Sequence, residues 1–203
     1  MTHTLHRGDL SEGVCLGPVV AVDTEAMGLN PHRDRLCLVQ LSAGDGDAHL
    51  VQLSRGDYAA PRLKHLLAAP DVIKLFHYAR FDLAMLYRYL GVMAEPVYCT
   101  KIASRLARTF TDRHGLRDLC KDLLSIDLSK QQQSSDWGAS SLSEEQLRYA
   151  ASDVLHLHAL RDRLDAILAR EGRGGLARAC FEFLPHRVLL DLEGWSEQDI
   201  FAH

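Results

Sequence analysis

The chain of 203 residues contains no apolar run approaching the ~18 residues needed to cross a bilayer. Its first stretch, Met1 to Gly17, is polar and lacks the continuous hydrophobic segment of a signal peptide. These absences predict a soluble, cytoplasmic protein with no membrane partner. Cysteine is sparse: Cys15, Cys37, Cys99, Cys120 and Cys180 are odd in number, widely spaced and free of any Cys-x-x-Cys. That pattern argues against a disulfide framework and a thiolate zinc site, and leaves reduced thiols in or near a core. There is also no excess of positive charge, since the net charge is −4, which runs against a broad basic surface. The charge is unevenly spread. Lys101, Arg105, Arg108, Arg113, Arg117 and Lys121 face only Asp112 and Asp118 within their stretch, whereas Glu182 to Asp199 is mostly acidic. Such a run by itself suits a solvated helical face better than a phosphate-binding one.

What is present is enough apolar residue, 47% of the chain, to bury one core, so residues 1–203 are expected to form a single domain. Val19 to Val22, Leu36 to Leu41 and His49 to Leu53 read as a three-strand meander, with Gly44-Asp45-Gly46-Asp47 turning between the last two. Tyr58 to Ala69 has helical spacing, Val72 to Phe76 is a compact buried strand, and Ala79 to Leu90 is an amphipathic helix stopped by Gly91. Beyond Thr100 the pattern is helical: Thr100 to Phe110, Leu116 to Ile126, and Ser143 to about Arg170, where Ser143-Glu144-Glu145-Gln146 supplies a capping box. Ser129 to Ser141, with its short Gln131-Gln132-Gln133 run, has no periodicity and reads as a loop. Gly172 to Gly175 breaks the chain before a last apolar segment, Leu176 to Leu192, interrupted by Pro185. The fold class is therefore α/β, a mixed sheet of three antiparallel strands then parallel ones, flanked by helices, with a mostly helical C-terminal half.

Three local features carry chemistry. Asp23-Thr24-Glu25 ends an apolar strand and sets two carboxylates at i and i+2 on one side, where they repel unless a cation joins them. Asp82 sits early in the Ala79 to Leu90 helix, a place that the helix dipole alone would explain. Tyr149 and Asp153 share a helical face at i and i+4, with small residues between them that leave room for approach. A phenol hydrogen-bonded to a neighbouring carboxylate at a core edge would give the same pattern.

Together these stretches resemble the three motifs of the four-carboxylate (DEDD) exonucleases in their tyrosine-containing branch. Val22-Asp23-Thr24-Glu25 followed by Arg35-Leu36-Cys37-Leu38-Val39-Gln40-Leu41 is similar to the first motif of ribonuclease D-like proteins. Lys74 to Leu83, with His77 ahead of Asp82, is similar to the second. Ser135-Asp136-Trp137, Leu142-Ser143, Gln146-Leu147 and Tyr149-Ala150-Ala151-Ser152-Asp153-Val154 are similar to the third. The resemblance covers about Val19 to Leu164 and leaves residues 171–203 as a helical extension, too short for the accessory domains of ribonuclease D. In size and build the chain is similar to the short stand-alone members of nanoRNase C type.

The resemblance implies a ribonuclease H-like exonuclease fold and 3′→5′ hydrolysis of RNA, especially short oligoribonucleotides, with DNA, longer RNA ends or a catalytically silent scaffold as alternatives. It also implies a homo-oligomer, in ring form. Asp23, Glu25, Asp82 and Asp153 become the ligands of two divalent cations, and an all-oxygen set suits Mg²⁺ or Mn²⁺. Tyr149 becomes the group that orients or deprotonates the attacking water. Met27 and Leu29 are expected against the terminal bases, Trp137 as a stacking face, and His77 beside Asp82 or the substrate. Lys101, Arg105 and Arg108 are expected to bind the strand.

Overall fold

The computed structural model describes residues 2–128, 132 and 134–202. Of the expected loop, Ser129, Lys130, Gln131 and Gln133 lie outside the described residues. The meander is present: β2 (Val19–Ala26) pairs antiparallel with β3 (Leu36–Ser42), and β3 with β4 (Asp47–Gln52). Strand β5 (Ile73–Phe76) then lies parallel to β2. Two strands escaped the sequence pattern. β1 (Thr2–Arg7) pairs parallel with β4 at one edge, and β6 (Val97–Cys99) pairs parallel with β5 at the other, giving the order β1-β4-β3-β2-β5-β6. β1 is an edge strand of Thr, His and Arg with one buried residue, so it carries no apolar alternation. β6 is three residues long.

Helix α1 (Pro61–Ala68) begins later than the spacing predicts, because Pro61 fixes its first position and Asp9 accepts from the free backbone N–H groups of Arg62 and Leu63. Helices α2 (Ala79–Leu90), α3 (Thr100–Ala107) and α4 (Leu116–Leu119) follow, and α4 runs on into a π-helical turn at Cys120–Leu124. The long helical stretch is two helices, α5 (Glu144–Leu155) and α6 (Leu157–Arg170), joined at His156. The capping box at the start of α5 is formed: the Gln146 N–H donates to Ser143 Oγ at 3.2 Å, and the Ser143 N–H donates to Gln146 Oε1 at 2.9 Å. Gly172 to Gly175 and Pro185 break less than expected. Helix α7 (Gly174–Leu190) starts on the glycines and continues through the proline. Phe181, Leu184 and Val188 hold it to the core, so tertiary packing overrides a poor helical sequence. These three side chains are therefore committed within the chain, whereas Phe183, Leu189 and Trp195 stay exposed.

The sheet interior is apolar except at a few fastened polar groups. Every residue of β3 is buried. Lys74, fully buried in β5, donates from Nζ to the carbonyls of Ala69 at 2.7 Å, Val72 at 2.8 Å and Glu95 at 2.5 Å. One ammonium thus ties the end of α1, the start of β5 and the approach to β6 together. Lys74→Met removes all three bonds from buried carbonyls, and is expected to lower stability in urea unfolding by about 2 to 5 kcal/mol. A loss below about 1 kcal/mol would show that the ammonium does not brace this corner.

Candidate active site

The site forms where three separate segments meet. Asp23 and Glu25 come from β2, Asp82 from the first turn of α2, and Tyr149 and Asp153 from α5. The sequence periodicities dictate this: i and i+2 on a strand, i and i+4 on a helix. The register between β2 and β3 shifts between Glu25 and Ala26, a bulge that ends regular pairing just where the chain turns into Met27. Ligand oxygens of Asp23, Glu25 and Asp153 lie within 4.8 Å of one another. Asp82 is buried beside them and accepts a 2.7 Å hydrogen bond from Thr24 Oγ1. All line one cavity of 680 Å³, together with Met27, Leu29, His77, Lys101, Trp137 and Tyr149.

Electrostatics mark these acids as ill at ease without a cation. Burial pushes the Asp23 carboxyl up to about 7. Burial, then the charges of Asp23, Asp153 and Asp82, pushes Glu25 up to about 10. Asp82 and Asp153 are raised by burial and then by Asp23. At an effective dielectric of 20, two like charges at this separation repel by about 3 to 4 kcal/mol. Three converging carboxylates with oxygen donors only fit a hard divalent cation in donor type and number. Burial, followed by the charges of Asp153, Glu25 and Asp23, raises Tyr149 far above the usual phenol range, so its hydroxyl keeps its proton at neutral pH.

The remaining expected residues divide. Met27 and Leu29 are exposed in the cavity mouth, Leu29 at 85%. Their loop is tied down by Asp34, whose carboxylate accepts from the Asn30 N–H at 3.0 Å and packs so close to Gly28 that no Cβ fits there. Lys101 lies with Nζ 4.1 Å from the centre of the Tyr78 ring, and both line the cavity. His77 also lines it, but its Nδ1 pairs with Thr100 Oγ1 at 2.9 Å, and burial holds it neutral with a pKa of about 3. It is Thr24, and not His77, that holds Asp82.

Two expectations are corrected. Trp137 is 2% exposed and packed against Tyr149, with ring centres 6.1 Å apart, so it offers no open face to a base. Arg108 is buried, donating to Asp122 Oδ2 at 2.6 Å and the Arg113 carbonyl at 2.9 Å. It fastens the end of α3 and is not free for a phosphate. Arg105 is exposed on α3, one helical turn from Lys101, and does not itself line the cavity.

Thr24 and Gln40 were missed. Gln40 stands directly across from Asp23 in the β2–β3 register and donates from Nε2 to Asp23 Oδ2 at 3.2 Å. Their motif positions looked like ordinary strand residues, and only the cross-strand pairing reveals the contact.

The raised carboxylates fix a sign for pH dependence. Between the ordinary carboxylate range near 4 and the raised values, the metal-free folded protein holds protons that the unfolded chain has released, so its stability falls as pH climbs from about 4 through 7 and beyond. His77, neutral when folded, acts in the opposite direction between its lowered value and about 6.5. Comparison with Asp23→Asn isolates the carboxylate part. The metal-free variant is expected to melt at or above the wild type at pH 8, with the advantage shrinking at pH 5, and to gain less from added Mg²⁺ or Mn²⁺. A strongly destabilised metal-free variant would make Asp23 a structural residue.

Comparisons with known proteins agree with this geometry. Residues 9–169 match the family model described as 3′-5′ exonuclease. Ribonuclease D of Gluconacetobacter diazotrophicus is 38% identical over 156 residues, covering 77% of this chain. The chain spans only 39% of that protein's length. Among solved structures, NrnC of Brucella melitensis with bound Mg²⁺ is 54% identical at a TM-score of 0.96, and each chain is covered completely. The same protein bound to pGG is 55% identical, with a TM-score of 0.97 over 100% of this chain and 99% of that one. Escherichia coli RNase D, 24% identical at a TM-score of 0.74 over 84% of this chain and 45% of its own, shares the fold. The chain belongs to the 3′-5′ exonuclease family.

Proposed function

We propose that this protein is a metal-dependent 3′→5′ exoribonuclease that hydrolyses short RNA oligonucleotides, down to dinucleotides, to nucleoside 5′-monophosphates. The observation that carries the reading is the convergence of Asp23, Glu25 and Asp153 within 4.8 Å, beside Asp82 and Tyr149, in one cavity. Asp23, Glu25 and Asp153 would hold one divalent cation, and Asp23 with Asp82 a second. Divalent cations, when bound, neutralise charge on a phosphodiester and make water acidic enough to attack at neutral pH.

The chain's own groups do the rest. Tyr149 serves as an orienting hydrogen-bond partner for the attacking water, since a phenol with an ordinary pKa of ~10 carries its proton at neutral pH and is not available as a base. Met27 and Leu29 give the terminal bases an apolar seat at the mouth. Lys101 and Arg117 supply positive charge to a cavity whose other charged residues are acidic. A cavity of 680 Å³ has room for the one or two terminal nucleotides of a strand. The complex of NrnC with pGG, at 55% identity over the whole chain, supports the same substrate class.

End-labelled RNA and DNA from two to thirty nucleotides test this directly. Cleavage is expected from the 3′ end only, fastest on the shortest RNA, and lost in EDTA. Tyr149→Phe is expected to slow turnover by about 10²- to 10⁴-fold with metal binding retained. Faster cleavage of long RNA or of DNA would reassign the substrate, and cutting of a circular strand would remove the exonuclease reading.

We also propose a homo-oligomer of ring form, resting on the C-terminal face. Phe183, Leu189, Trp195, Ile200 and Phe201 are exposed there, and the Phe183 and Phe201 rings lie 6.0 Å apart. Apolar side chains grouped this way favour association between copies. Light scattering is expected to show an assembly that Phe183→Glu with Trp195→Glu reduces to smaller species; a wild-type monomer at micromolar concentration would refute it.

A further inference from the structure

We infer that Gln40 is a positioning residue for the metal-binding carboxylate of Asp23, an inference that rests on the metal-dependent reading above. Gln40 lies in the middle of β3, a strand buried along its whole length, and is itself fully buried. Its Nε2 donates to Asp23 Oδ2 at 3.2 Å across the strand pair. Its Oε1 has no hydrogen-bond partner among the described residues.

A buried amide oxygen without a partner is destabilising, because the group gives up its water and receives nothing in return. Leu38, two residues along β3 and so on the same face as Gln40, is aliphatic and fully buried, which shows that this face accepts such side chains. Packing alone would therefore be better served by methionine or leucine, which match the volume and leave no unpaired oxygen. The one thing that only the amide supplies is its N–H toward Asp23. With Oδ2 held by Nε2, the carboxylate is restrained about its last torsion, which sets the direction in which it would meet a cation. A donor that orients a ligand carboxylate typically governs metal affinity by 10- to 100-fold. The register explains why the task falls to residue 40. It is directly opposite residue 23 in an antiparallel pair, so the two side chains emerge side by side on one face.

A structural glutamine and a positioning one differ in what their removal does. Gln40→Met is expected to leave the metal-free melting temperature equal to or above the wild type, since the unpaired oxygen is gone. The concentration of MgCl₂ or MnCl₂ giving half of the metal-induced melting shift is expected to rise by about 10- to 100-fold. Gln40→Asn keeps an amide but falls one methylene short of Asp23, and is expected to show the same rise in metal midpoint. If Gln40→Met does not fold, the asparagine variant decides. A metal midpoint unchanged in the folded variants, alongside wild-type protein that responds to metal, would overturn the inference while sparing the metal site. Wild-type protein whose melting ignores both metals would overturn the metal-dependent reading, and this one with it.

Discussion

Everything in this molecule is arranged around the mutual repulsion of four carboxylates. Asp23, Glu25, Asp82 and Asp153 come from elements far apart in the chain and meet in a half-closed cavity, where water screens them poorly. Among the described residues, no lysine or arginine makes an ion pair with any of them. A fold selected for stability alone would have paired these acids or moved them to the surface. They receive neutral donors instead, among them Thr24 to Asp82 and Gln40 to Asp23, which orient without neutralising. The negative charge is thus left for a cation to satisfy.

How far such a site could be read from sequence depended on the range of the interactions behind it. The joining of the carboxylates with Asp82 into one site came only with the resemblance to the exonuclease motifs. The pairs Asp23–Glu25 and Tyr149–Asp153, by contrast, were legible because strand and helix periodicity puts i, i+2 and i, i+4 side chains on one face. The capping box at Ser143 was legible for the same reason. Arg108 shows the limit: on a continued helix it would follow Lys101 and Arg105, but α3 ends at Ala107 and the next residue turns inward to Asp122. β1 was invisible because Leu5 is its only apolar residue, and its pairing with β4 joins residues 45 apart. Trp137 looked like a free aromatic on a polar loop. Its burial is set by contacts from across the chain: Arg35 Nη2 to the Gly138 carbonyl at 2.9 Å, Gln52 Nε2 to that of Ala139 at 3.0 Å, and Gln146 Nε2 to that of Asp136 at 3.2 Å. No local rule anticipates three such fastenings.

Those fastenings also explain how the repelling acids stay in place. A Cβ on Gly138 would sit 2.5 Å from Met27 Sδ and 3.0 Å from Arg35 Nη2, so the loop bearing Trp137 is pressed onto the loop bearing Met27. Trp137 in turn lies against Tyr149, one helical turn from Asp153. On the far side, Arg80 pairs with Asp191 and donates to the Ser196 carbonyl at 3.1 Å, anchoring the start of α2 two residues from Asp82 to the C-terminal segment. Lys74 does the same for β5, which is bonded to β2. Arg35, Gln52, Gln146, Arg80 and Lys74 thus fasten the elements that carry the site, while the carboxylates inside it have no ion-pair partner among the described residues. Rigidity in the surround is what allows strain at the centre to persist as binding capacity, since a loose frame would let the carboxylates part and relax.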